Sequence, residues 1–175
     1  MIKKVIIGAG ILIVGAAVYF YLGGMDEIII SHKENDGYEI VGINYEGRYR
    51  SEELEQIYFD VKQKKETGEL EGELVVVNYK LGGDSIENGF IKQFLGIQLS
   101  KANQKIPEGF TLKVIESKMI ISVNISAHNL VMPNPNKIGQ KINKYASENN
   151  LERVNFTIEK YVSDRELIIE VPIIE

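Results

Sequence analysis

Residues 119–127 read MIISVNISA. Met119, Ile121, Val123 and Ile125 fall on one side of this segment, and Ser122, Asn124 and Ser126 fall on the other. That period of two belongs to a strand with one buried face. An earlier stretch, EIVGINYEG at 39–47, can be laid over it, matching Val41 to Ile121, Ile43 to Val123 and Asn44 to Asn124. FLGIQL at 94–99 lies over ELIIEV at 166–171 in the same way, with Leu95 on Leu167, Ile97 on Ile169 and Gln98 on Glu170. In the strand that follows each helix, Tyr79 is matched to Tyr161.

Two segments between these strands have helical spacing. Ser51 to Thr67 places Leu54, Ile57, Tyr58 and Val61 on one stripe, with Ser51 as cap, Glu52 and Glu53 in the first turn, and Gly68 as terminator. The second helix follows Asn134-Pro135 and carries Ile138, Ile142, Tyr145 and Ala146. Strands are expected near 27–32, 38–46, 72–80, 93–99, 110–116, 118–127, 154–161 and 165–173. The order strand, helix, strand, strand then occurs once in each half. The expected fold class is α+β: a duplicated β-α-β-β antiparallel sheet with two helices on one face, preceded by a single transmembrane helix.

The 175 residues leave room for one compact domain. The absence of cysteine excludes a disulfide framework, thiolate metal sites and a lipoprotein anchor. Two histidines, His32 and His128, are too few for a multi-histidine centre, and each is expected at the surface. Lys+Arg number 20 against 25 Asp+Glu, and the excess of acid grows once Lys3 and Lys4 are set aside. Such a surface repels phosphate backbones, so no nucleic-acid partner is expected.

Val5 to Leu22 contains no charged side chain. Eighteen helical residues rise about 27 Å, close to the hydrocarbon thickness of a bilayer. Lys3 and Lys4 before the run, and Asp26 and Glu27 after it, put the N-terminus in the cytoplasm and the remainder outside it. Residues 1–25 are therefore expected as a single-pass membrane anchor and 26–175 as one folded domain. A cleaved secretory signal is the competing reading, with Gly15 and Ala17 as the small residues before the cut.

If the helices cover the sheet face bearing Ile43, Ile97, Val123 and Ile169, the opposite face carries Asn44, Tyr79, Gln98, Asn124, Glu159, Tyr161 and Glu170. These seven are the expected ligand-binding residues, in a groove along the seam between the halves. A simply solvated sheet face accounts for the polar residues without a ligand.

The layout resembles the GyrI-like, or bacterial effector-binding, domain family. The resemblance covers nearly all of residues 27–175. It is carried by YEIVGINYEGRYRSEELEQIYFDV (38–61), GELVVVNYK (72–80) and the closing LIIEVPI (167–173). It implies binding of a small lipophilic or cationic molecule between the halves. Some relatives are ligand sensors of transcription regulators, some hydrolases, and some membrane-anchored proteins that engage partner proteins. Drug-sensing relatives often carry a glutamate four residues before the closing proline; here that position is Ile168, and the acid is Glu170. An apolar segment stands where regulators carry a helix-turn-helix, which disfavours a DNA-binding role.

Acid–base chemistry would rest on Glu170 or Glu159 beside Tyr79 or Tyr161. The same residues describe a cation-binding cage. Binding is expected over catalysis, with no catalytic residue, cofactor or metal. The alternatives are a membrane-tethered protein-interaction module and, less favoured, a hydrolase using a groove glutamate.

Overall fold

The computed structural model describes residues 2–25, 27–79, 89–101 and 104–174. Among the described residues three α-helices, α1 (Ile2–Tyr21), α2 (Glu52–Glu66) and α3 (Pro135–Glu148), accompany eight strands. The strands are β1 (Ile29–Glu34), β2 (Tyr38–Arg48), β3 (Gly72–Asn78), β4 (Phe90–Leu99), β5 (Thr111–Ile115), β6 (Met119–Ser126), β7 (Thr157–Ser163) and β8 (Glu166–Pro172). They form one antiparallel sheet in the order β1-β6-β8-β7-β3-β4-β2-β5.

The helices begin where side chains replace missing backbone partners. Ser51 Oγ accepts from Leu54 N at 3.1 Å, and Glu52, Glu53 and Glu55 meet the positive end of α2. Asn134 Oδ1 accepts from Asn136 N at 2.8 Å, with Pro135 opening α3. Ile57 and Val61 of α2 are buried against Val41, Leu74, Val76, Leu95 and Ile97; Ile138, Ile142 and Ala146 of α3 are buried against Ile121, Val123, Leu167, Ile169 and Val171.

The duplication is visible in the topology. β2-α2-β3-β4 and β6-α3-β7-β8 occupy matching places, and the halves meet where β3 pairs with β7. One feature differs from simple repetition. The strand leading each half joins the edge of the other half: β1 pairs with β6, and β5 pairs with β2. The turns at 35–37 and 116–118 are too short to let these strands lie far apart, and Asn35 N donates to Lys118 O at 2.8 Å.

This exchange curls the sheet. Tyr38 on β2 lies four strands from Glu170 on β8 in the pairing order, roughly 19 Å in a flat sheet. Its hydroxyl nevertheless donates to Glu170 Oε2 at 2.9 Å. The face away from the helices is therefore the inside of a barrel-like curl, packed with Tyr38, Ile40, Val75, Val77, Phe94, Ile120 and Ile158. The exchanged strands wrap over this face and these side chains fill its middle, and a cavity lined by Tyr38, Gln98, Ile115 and their neighbours remains at the β2–β5 end. Gly42 and Gly96 stand opposite each other on that inner face. A Cβ on Gly96 would meet Val41 O at 2.6 Å, and one on Gly42 would collide with Leu95 O, so only glycine permits the bend.

The segment expected to span a membrane is helix α1, whose described side chains include exposed Leu12, Ile13, Val14 and Phe20. Among the described residues no helix is long and apolar enough to cross a membrane. The end of α1 is joined to the domain: His128 N donates to Leu22 O at 2.9 Å, and the Arg165 guanidinium lies 5.1 Å from the Tyr21 ring centroid.

Candidate functional site: a carboxylate at the seam

Cross-strand register decides which face each polar residue takes. Val76 pairs with Glu159, and Glu159 pairs with Ile169. Val76 belongs to the α2-side core and Ile169 to the α3-side core. Cross-strand partners share a face, so Glu159 sits on the helix side, at the boundary between the halves. Tyr161, two residues on, shares that face. Both were expected on the opposite face. The cause is the matching of Tyr79 to Tyr161: Tyr79 continues the inner-face parity of Val75 and Val77, whereas on β7 the inner positions are Ile158 and Lys160. A slip of one residue transposes the faces.

A hydrogen-bonded set surrounds Glu159. Tyr161 Oη donates to its Oε2 at 2.9 Å, and Asn78 of β3 lies diagonally across from it on the same face. Gln93 of β4, directly across from Asn78, donates through Nε2 to Asn78 Oδ1 at 2.5 Å. Among the described residues no lysine or arginine forms an ion pair with Glu159. Burial pushes its carboxyl above the usual range, while Tyr161 and Asn78 pull it back. Burial, and then Glu159, hold the Tyr161 hydroxyl well above the usual phenol range. Tyr49 and Tyr58 lie near enough to act on Tyr161. These three rings remain 38–48% exposed, so the seam opens to solvent above a carboxylate set into the sheet. The tyrosine hydroxyl is turned down onto Glu159 while part of its ring faces outward.

The other expected residues lie elsewhere. Glu170 is 3% exposed inside the curl. It takes the Tyr38 hydroxyl, pairs with Lys160 Nζ at 2.8 Å and approaches Lys33 Nζ at 3.4 Å. Lys160 Nζ also lies 5.3 Å from the Tyr38 ring centroid. Burial, then the neighbouring Glu170 charge, drives the Tyr38 hydroxyl far above its ordinary value. These contacts engage both carboxylate oxygens of Glu170. Tyr79, Gln98 and Asn124 also face inward, and Tyr79 Oη, Gln98 Oε1 and Asn124 Oδ1 are buried without a hydrogen-bond partner. Asn44 shares the inner-face parity but lies exposed toward the end of β2.

Of the seven, then, only Glu159 and Tyr161 come together on an open surface. Asn78, Gln93, Tyr49 and Tyr58 were not among them. Asn78 shares the parity of Leu74 and Val76, the signal that could have placed it on the helix side. Tyr58 belongs to the expected buried stripe of α2, but only Ile57 and Val61 of that helix are fully packed away.

No protein-family model matches the chain, and no curated protein does. Solved structures do. The protein SAV2435 bound to tetraphenylphosphonium is 10% identical, with 83% of this chain and 94% of that one covered at a TM-score of 0.54. A hydrolase from Listeria innocua is 10% identical, covering 83% and 91% at 0.54. EcmrR, from a complex with DNA, is 11% identical and covers 98% of this chain and 68% of its own at 0.59, so most of α1 lies within that match. At these identities the likeness is one of fold. The architecture is consistent with the GyrI-like effector-binding fold.

Proposed function

We propose that the chain is a GyrI-like small-molecule-binding protein whose ligand, a lipophilic cation, sits over the seam against Glu159. The carrying observation is a partly buried carboxylate that accepts from a neutral tyrosine, with no ion pair to a lysine or arginine among the described residues. Tyr49, Tyr58 and Tyr161 supply ring faces beside that charge, the surroundings that attract an organic cation. The fold shared with SAV2435, which binds tetraphenylphosphonium, supports the choice of ligand class. The reading is of binding without catalysis.

The uncharged run Val5–Leu22 supports a second part of the reading. In it α1 tethers the domain to a membrane, with the N-terminus cytoplasmic and the domain on the other side. Protease treatment of intact cells expressing the full chain checks this: digestion of the domain only after lysis refutes the orientation, and release from membranes by carbonate refutes the span.

Titration of the purified full chain with tetraphenylphosphonium, followed by tyrosine fluorescence, tests the ligand. A saturable response that weakens about tenfold or more in Glu159→Gln is expected for a charge-assisted contact. No response, or one equal in the variant, refutes the site.

A further inference from the structure

Four lysines share the inner face of the curl by register: Lys33 pairs with Ile120, Lys92 with Glu46, Lys113 with Ile40 and Lys160 with Val75. Three of them have a carboxylate. Lys33 and Lys160 share Glu170, and Lys92 Nζ lies 2.8 Å from Glu46 Oε2. Lys113 has none among the described residues. Its Nζ lies instead 4.7 Å from the Phe94 ring centroid and 5.1 Å from that of Tyr79, within the range where ring faces attract an ammonium. The sheet leaves a lane for it. Lys113 starts in the cross-strand row of Ile40 and Gln98, and Phe94 lies two inner-face rows along, opposite Asn44. The row between holds Gly42 and Gly96, which have no side chains to block the lysine stem. Tyr79 packs on Phe156, with ring centroids 6.2 Å apart, and its hydroxyl is buried.

We infer that Lys113 is a specificity-determining residue: its ammonium fills a cation site formed by Phe94 and Tyr79, and so keeps small alkylammonium ions off the inner wall. An organic cation arriving at these rings meets a tethered ammonium that competes at high effective concentration. Among the described residues β5 pairs only with β2, so the strand that carries this built-in cation is an edge strand held on one side. The inference is independent of the seam, because Glu159 lies on the other face of the sheet.

The test has two steps. In ¹³C-labelled full chain the Lys113 Hε protons are expected upfield of those of the other lysines, because ring faces shield them, and Phe94→Leu and Tyr79→Leu should each return them part of the way. Ordinary shifts in the parent protein overturn the inference. The second step uses a Glu159→Gln background, so that nothing read comes from the seam. n-Butylammonium, which is the lysine side chain cut from its backbone, is titrated against the chain with Lys113 in place and against Lys113→Ala and Lys113→Thr. The threonine variant keeps the strand preference of β5, in case the alanine variant does not fold. Ring-proton shifts of Tyr79 and Phe94 report binding, and n-butanol serves as the uncharged control. The short variants are expected to bind n-butylammonium about tenfold or more tightly than the chain that retains Lys113, and to prefer it to n-butanol. Equal binding with and without Lys113, no binding by a folded short variant, or equal binding of n-butanol overturns the inference.

Discussion

Glu159 and Glu170 stand on neighbouring strands and face opposite ways: Glu159 pairs with Ile169, and Glu170 with Ile158. One carboxylate opens on the helix side with a neutral tyrosine as partner, and the other is enclosed with Lys160 and Tyr38. The register alone sets their surroundings apart.

Removing the inner charge should be costly. Glu170→Ala leaves Lys160 in the curl without its counter-ion, and a broken buried pair typically costs about 3–5 kcal/mol. Urea denaturation is expected to show that loss, whereas Glu170→Leu combined with Lys160→Met should recover most of it. A single variant within 1 kcal/mol of the parent, roughly the value of a surface pair, would place Glu170 outside the structural core.

The outer carboxylate has the opposite effect on stability. Its folded-state midpoint is raised by burial, so the group favours the folded state below its unfolded midpoint, and this contribution is lost as pH rises through the folded one. Glu159→Gln should therefore raise thermal stability at neutral pH, with the gain shrinking in acid. Cation binding runs the other way, present above the midpoint and lost as the carboxyl takes a proton. Melting temperatures and titrations across pH 4–8, a range spanning roughly the ordinary carboxylate and histidine values, check both limbs.

The bend at Gly42 tolerates no side chain. Gly42→Ala drives a methyl into the Leu95 carbonyl, and overpacking of this kind costs about 1–3 kcal/mol. Gly139→Ala, where nothing lies within 4 Å, should instead be neutral or stabilising by up to about 1 kcal/mol in a helix. Equal effects at both positions would remove the close approach as the reason for glycine.

Ser51 serves two elements at once. Its Oγ caps α2 and meets Tyr45 Oη at 2.6 Å. Ser51→Ala should cost about 1–2 kcal/mol by chemical denaturation. Ser51→Thr should retain most of the cap.

Much of the architecture was legible in apolar periodicity. The strands with clean alternation, β2, β4, β6 and β8, take the faces their sequences suggest, with Val41, Ile97, Val123 and Ile169 toward the helices. β7 was not legible in this way. TIEKYVS offers only Ile158 and Val162 as apolar markers between charged and aromatic neighbours, and its register is set by pairing rather than by burial pattern. The exchange of β1 and β5 left no local trace either, because a short turn between two strands ordinarily signals a hairpin. With the exchange hidden, the enclosed interior was hidden too.

The crossed leading strands also govern the order in which the chain can assemble. β1 finds its neighbour only when β6 has emerged, pairing Ile29 with Asn124, so the first strand made must wait through most of synthesis. Neither repeat can finish its own sheet edge without its sibling. Contacts so distant in sequence slow folding, and a nascent chain halted after β4 would expose a strand with nothing to join.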